Sequence, residues 1–166
     1  MTENQQHERT YTFPEPKIVA DAAITMSGLE FLHATISGEV PESPMMCTLG
    51  VRTVEAEPGR VVMQAPTEPF QFNTIGTGHG GFLATLLDTV MGSAVHSRLP
   101  AKQGFTTLDI QVRYRKALKS DAGLVTVVGI ADHVGRTTAT ASATISNEDG
   151  AVLATATSSL LLLEKH

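Results

Sequence analysis

Asp88 is a carboxylate in an unusual setting. Around it, the apolar residues Phe82, Leu83, Leu86, Leu87, Val90, Met91 and Ala94 recur with helical spacing. The opposite side of that wheel carries Gly81, Ala84, Thr85, Gly92 and His96, so the acid sits on a face of mostly small residues that another molecule can approach. Immediately before the helix comes a loop holding Asn73, Gly76, Gly78 and His79, and the helix itself opens at about Gly80 and Gly81. A helix start exposes unpaired N–H groups and the positive end of the dipole, which suits developing negative charge. A carboxylate and an oxyanion donor are the parts acyl transfer needs. In that chemistry Asp88 serves as general base or nucleophile, the Gly80 N–H polarises a carbonyl, and Asn73 positions the carbonyl or a water. His79 reads either as a base or as a residue that orients the loop from the helix start, and the second role is favoured. Thr107 opens the polar face of a later strand and is either an ordinary strand residue or a holder of water.

Spacing adds a constraint. Gly80 and Asp88 are eight residues apart, roughly 12 Å along a helix at ~1.5 Å per residue. One carbonyl cannot meet both groups of the same helix. If both act, the carboxylate comes from a second copy of the chain. The remaining charged cluster is basic, Arg113, Arg115, Lys116 and Lys119, with Arg136 following the hairpin Gly135. It is either a solvated strand face or a rim for phosphates, a task that suits arginine.

The elements that must position these groups are legible as pattern. Residues 1–20 read as a loose polar arm broken by Pro14 and Pro16, and 21–166 as one domain. A helix is expected over about 21–37, a strand over 47–55 with Cys47 at its start, a turn at Glu57-Pro58-Gly59 and a return strand over 60–65. After Leu99-Pro100 come four strands, near 105–115, 123–133, 136–146 and 151–163. In the first, Leu108, Ile110, Val112 and Tyr114 alternate with Thr107, Asp109, Gln111, Arg113 and Arg115. The third is largely alanine, threonine and serine, which lets a backbone lie close. These elements predict an α+β fold, an antiparallel sheet wrapped around the central helix with an extra helix at the N-terminus.

Several classes are disfavoured. A net charge of −5 argues against a general nucleic-acid surface. No apolar run reaches the length of a membrane span, and the polar N-terminus lacks a signal-peptide core, so a cytoplasmic location is expected. Cys47 is the sole cysteine, and the histidines show no ligand spacing with it or with each other, so no metal site is expected.

The motif N-x-x-G-x-x-H-G-G-x-x-x-x-x-x-D, carried by Asn73, Gly76, His79, Gly80, Gly81 and Asp88, resembles the signature of the phenylacetate-pathway (PaaI-type) acyl-CoA thioesterases of the hotdog superfamily. Similar segments follow at 28–32, 47–50, 96–100, 106–109 and 135–137, so the resemblance covers roughly residues 28–163. It implies a hotdog fold, a homodimer and often a homotetramer built as a dimer of dimers. It implies an acyl-CoA substrate, with coenzyme A entering only as part of substrate and product and no further cofactor. Asp88 would be the acid acting on the thioester and Gly80 the oxyanion donor. Asn73 and Thr107 would position carbonyl or water, and Gly81, Arg115, Arg136 and Thr137 would bind substrate. The sequence departs from the family pattern at Gly78, where a larger apolar residue is expected and glycine would loosen the loop, and at Gln71, where histidine is common. Two alternatives stand beside hydrolysis of acyl-CoA. One is a hotdog protein that binds acyl-CoA without turnover, although no DNA-binding segment suggests a transcriptional sensor. The other is a thioesterase for acyl carrier protein, an acidic partner that the acidic balance disfavours.

Overall fold

The computed structural model describes residues 6–164. Its centre is a helix of 17 residues, Gly80–His96, which is the fourth helix, α4. The apolar stripe does what its period requires: Leu86, Leu87, Val90, Met91 and Ala94 are all at most 1% exposed. Each large side chain buried this way contributes ~1.5–3 kcal/mol relative to leaving it in water. The surface that covers them is one six-stranded antiparallel sheet. Its strands are β1 (Arg52–Glu57), β2 (Arg60–Pro66), β3 (Gln103–Tyr114), β4 (Leu124–Val134), β5 (Thr138–Ser146) and β6 (Val152–Glu164). Their order across the sheet is β1-β2-β4-β5-β6-β3.

The sheet can close on the helix because its inner face is small in the middle. Ala139, Ala141 and Ala143 of β5 and Ala154 and Ala156 of β6 are buried against the core. On β4 the approach is closer still. A Cβ on Gly129 would lie 2.5 Å from the Val90 carbonyl oxygen, so only glycine fits there.

The N-terminal part differs from the sequence expectation in two places. The single helix expected over 21–37 is two helices, α1 (Pro16–Thr25) and α2 (Gly28–Ser37). Pro16 starts the first from a position where proline is pre-set for helix. Ser27 and Glu30 form a reciprocal capping box that starts the second and forces the break. The arm is therefore shorter than expected: residues 16–20 are helical, residues 6–15 have no regular structure, and residues 1–5 of the expected arm lie outside the described residues. Residues 47–49 are not strand either. They end a short helix, α3 (Pro44–Leu49), which stops at Gly50 before β1 begins. Cys47 thus lies in a helix, with its Sγ 3.4 Å from the Glu42 carbonyl.

The two sheet edges are treated differently. Along β1, the Glu42 carboxylate accepts from the Thr53 N–H at 2.6 Å and the His33 ring bonds the Ala56 carbonyl at 3.0 Å. Among the described residues, no strand lies beyond the β3 edge. No helix among the described residues is long and apolar enough to cross a membrane.

Candidate active site

The loop before α4 is built by its own polar groups. The Asn73 Oδ1 accepts the N–H groups of Ile75 and Thr77, and its Nδ2 donates to the Thr77 hydroxyl at 3.0 Å. Asn73 is therefore first a loop staple, although it also lines the cleft described below. Gln71 is buried, with its amide satisfied by the Pro66 carbonyl and the Glu68 N–H. Its backbone carbonyl holds the His79 N–H at 2.7 Å. Gly78 tightens the loop rather than loosening it. Its N–H donates to the Leu118 carbonyl at 2.8 Å, and a Cβ there would lie 2.6 Å from the Leu118 side chain. The space that a larger residue would need at position 78 belongs to Leu118.

His79 caps α4. Its Nδ1 accepts from the Gly81 N–H at 2.9 Å, and its carbonyl accepts from Phe82. With Nδ1 accepting, a neutral ring carries its proton on Nε2. That contact is the kind the orienting role expected of this residue would use. The cap leaves one donor over: among the described residues the Gly80 N–H has no hydrogen-bond acceptor. It borders a cleft of about 330 Å³ lined by Asn73, Gly80, Leu83, Tyr114, Arg115 and Leu118. Tyr114 was not singled out by sequence, where it reads as one more residue of the dry strand face. Its hydroxyl donates to the Gly80 carbonyl at 2.8 Å, tying the helix start to β3.

Asp88 is half-buried two turns further on, and its Oδ1 accepts from the Thr107 hydroxyl at 2.9 Å. Thr107 is therefore a partner of the acid. It reaches α4 because the β3–β6 register shifts between Thr107 and Asp109, a bulge that leaves Leu108 unpaired on β6. So β3 touches α4 at both ends of the candidate machinery, Thr107 on Asp88 and Tyr114 on Gly80.

The remaining predicted residues divide. Arg115 is exposed at the rim of the Gly80 cleft. Arg136 and Thr137 are exposed in the β4–β5 hairpin, where the Thr137 carbonyl accepts from Leu162, and Leu162 pairs with Phe105. From Phe105 to Arg115 is ten residues of chain, roughly 30 Å at ~3.3 Å per residue. One protomer does not bring the three together. Gly81 is exposed on α4 and floors a second, mostly apolar hollow of about 290 Å³ with Thr85, Phe82, Phe72, Phe70, Leu49 and Met45.

A long buried helix wrapped by an antiparallel sheet, with a glycine loop at its start and an acid along one face, defines a hotdog-fold protein. Residues 75–154 match the model of the thioesterase superfamily. A Halobacterium salinarum protein named as a candidate esterase is 35% identical over a region covering 60% of this chain and 74% of its own. Human acyl-coenzyme A thioesterase 13 is 29% identical, over 59% of this chain and 69% of its own. A Streptococcus pneumoniae hypothetical thioesterase, crystallised with coenzyme A, superposes with a TM-score of 0.64 at 29% identity, covering 70% of this chain and 88% of that one. The chain belongs to the thioesterase superfamily, a family of thioester hydrolases.

Proposed function

We propose that this chain is a PaaI-type acyl-CoA thioesterase that hydrolyses its substrate at a site shared between two copies. The observation that carries the reading is the pairing on one helix of an unused Gly80 N–H with the Asp88–Thr107 pair eight residues on. Both the coenzyme A complex of the Streptococcus pneumoniae neighbour and the name of the human relative support acyl-CoA as the substrate class.

In this reading the thioester carbonyl accepts from the Gly80 N–H, where the helix dipole stabilises the oxyanion. The Asp88 carboxylate of the facing copy either takes a proton from water, which attacks the carbonyl carbon, or attacks it directly to give an anhydride that water then cleaves. Either way the C–S bond breaks, the sulfur leaves as thiolate and takes up a proton, and the products are an acid and coenzyme A. Thr107 fixes the carboxylate by its hydroxyl.

The open β3 edge supports the shared site. It exposes Leu108 (58%) and Tyr114 (54%), and an edge of this length is a template for pairing. An antiparallel partner across a two-fold near Ile110 and Gln111 sets the Thr107 half of one β3 against the Tyr114 half of the other. That brings each Asp88 toward the other copy's Gly80, and Arg115 toward the other copy's Arg136 and Thr137. Light scattering reads whether the assembly is this dimer or a dimer of dimers.

The test is Asp88→Asn, assayed by thiol release from a panel of acyl-CoAs. Loss of turnover in a folded oligomer is expected, and full activity would sink the mechanism. Mixing Asp88→Asn subunits with subunits blocked by Gly80→Val should restore activity in the mixed dimers. Persistent inactivity after proven subunit exchange counts against the shared site.

A further inference from the structure

We propose that Arg9, from the irregular arm, is a specificity-determining positioning residue: it pins Phe70 as one wall of the hollow that receives the acyl group. This rests on the thioesterase reading above.

The arm lacks helix or strand over residues 6–15, yet it is fastened at one point. The Arg9 guanidinium carbon lies 3.7 Å from the centroid of the Phe70 ring. Its Nε is 3.6 Å from the Glu68 carboxylate, and a Cβ built on Gly50, the residue that ends α3, would come 3.9 Å from its Nη2. Phe70 and Glu68 flank Pro69 in the turn before the active-site loop, so one side chain spans the α3 end and that turn. Only 26% of the Arg9 side chain remains exposed. A guanidinium lying over a ring while also ion-paired is held in position, and the ring beneath it is held in turn.

Phe70 needs such a restraint. It is 45% exposed and follows Pro69 in a single turn of 3-10 helix. It nevertheless lines the hollow of about 290 Å³ with Met45, Leu49, Phe72 and Phe82. The hollow is also lined by His79 and Gly81, the residues on either side of Gly80, and by Thr85, about one turn before Asp88 on α4. A mostly apolar recess beside the start of α4 suits the apolar part of an acyl thioester whose carbonyl rests on the Gly80 N–H. With Phe70 unpinned, the recess loses a wall that a bulky acyl group touches and an acetyl group does not reach.

The experiment compares the full chain with Arg9→Ala and Arg9→Lys, using acetyl-, hexanoyl- and phenylacetyl-CoA as substrates. Binding of the matching non-hydrolysable S-alkyl-CoA thioethers is measured by calorimetry. For Arg9→Ala, the ratio of kcat/KM for phenylacetyl- over acetyl-CoA should fall about five- to ten-fold, with the change in KM, and the thioether affinities should flatten by a similar factor. Arg9→Lys keeps the charge toward Glu68 but not the planar group over the ring, and should recover only part of the loss. An unchanged ratio, or an equal loss for acetyl and phenylacetyl esters, would overturn the proposal. The thioethers separate the two readings. If the unmutated protein hydrolyses nothing but still binds larger thioethers more tightly, and Arg9→Ala abolishes that preference, hydrolysis falls and the wall stands. If turnover is normal and the preference is untouched by Arg9→Ala, the wall falls and hydrolysis stands.

Discussion

Replacing Thr107 by valine removes one hydroxyl at the centre of the proposed machinery while leaving the strand almost as it was. Valine keeps the β-branch and nearly the volume of threonine, so β3 loses little packing. What goes is the O–H donated to Asp88 Oδ1 at 2.9 Å, a hydrogen bond to a carboxylate. Such bonds contribute ~1.5–3 kcal/mol when both partners are shielded. Asp88 and Thr107 are only half-buried, so water recovers part of that, and ~1.5–2 kcal/mol is the better figure. At ~1.4 kcal/mol per tenfold, kcat should drop about 10- to 30-fold if the hydroxyl fixes the carboxylate in the transition state. KM should move little, because Thr107 holds the acid and not the leaving group. The assay is thiol release at saturating acyl-CoA, with thermal unfolding run beside it to show that the variant is folded. Thr107→Ser, which keeps the hydroxyl, should recover most of the rate. Wild-type kcat in a folded Thr107→Val variant, with Asp88→Asn inactive, would refute the idea that this bond positions the acid.

Two further outcomes follow from packing and charge. Gly129→Ala would press a methyl group onto the Val90 backbone, which a side-chain rotation cannot relieve. A loss of about 1–3 kcal/mol is expected, read as a fall of roughly 3–10 °C in Tm, and an unchanged Tm would show that sheet and helix can separate at no cost. Cys47 has its thiol pKa raised, first by burial and then by the nearby Glu42 charge. Alkylation of the folded protein near pH 8 should therefore be slower than that of the urea-unfolded chain. Above the ordinary thiol range of ~8.5 the folded chain binds more protons than the unfolded one, so stability should decline with rising pH, and Cys47→Ala should reduce that slope.

The sequence carried the centre of the fold well and its periphery poorly, for a physical reason. Helix α4 and its covering strands are long, and their periods are enforced by burial: Leu86, Leu87, Val90 and Met91 have to face one way. Near the N-terminus the signals are short-range. Ser27 and Glu30 split a helix that the apolar stripe alone reads as continuous, and the capping-box spacing was the signal available for that break. Alternation over residues 47–55 suggested a strand that Pro44 and Gly50 instead resolve into a short helix and a turn. The contact of Arg9 with Phe70 had no local signal, since it joins residues 61 positions apart across a segment without periodicity. The candidate residues Asn73, His79, Gly80 and Asp88 stand out in the sequence because the proposed chemistry restricts their types. Tyr114 was missed because its ring reads as core, and only the fold shows where its hydroxyl goes.

The bulge in β3 shows most clearly why spacing alone could not assemble the site. Strict alternation puts Thr107 on the same side as Asp109, Gln111 and Arg113, away from Ile110, Val112 and Tyr114. In the structure Phe105 packs beside His96 of α4 and Thr107 bonds Asp88, while Ile110 and Val112 pack on the core and Tyr114 bonds Gly80. Odd positions face the helix before the bulge and even positions face it after. A regular strand can offer α4 one set or the other. One extra residue, Leu108, supplies both, at the cost of an unpaired and exposed leucine on an open edge. The strand thereby gains a contact with Asp88 near one end and with Gly80 near the other. Those are the two ends that an antiparallel partner would set opposite each other, so the irregularity that defeats the period-two reading is also what would fit this strand to the proposed two-fold site.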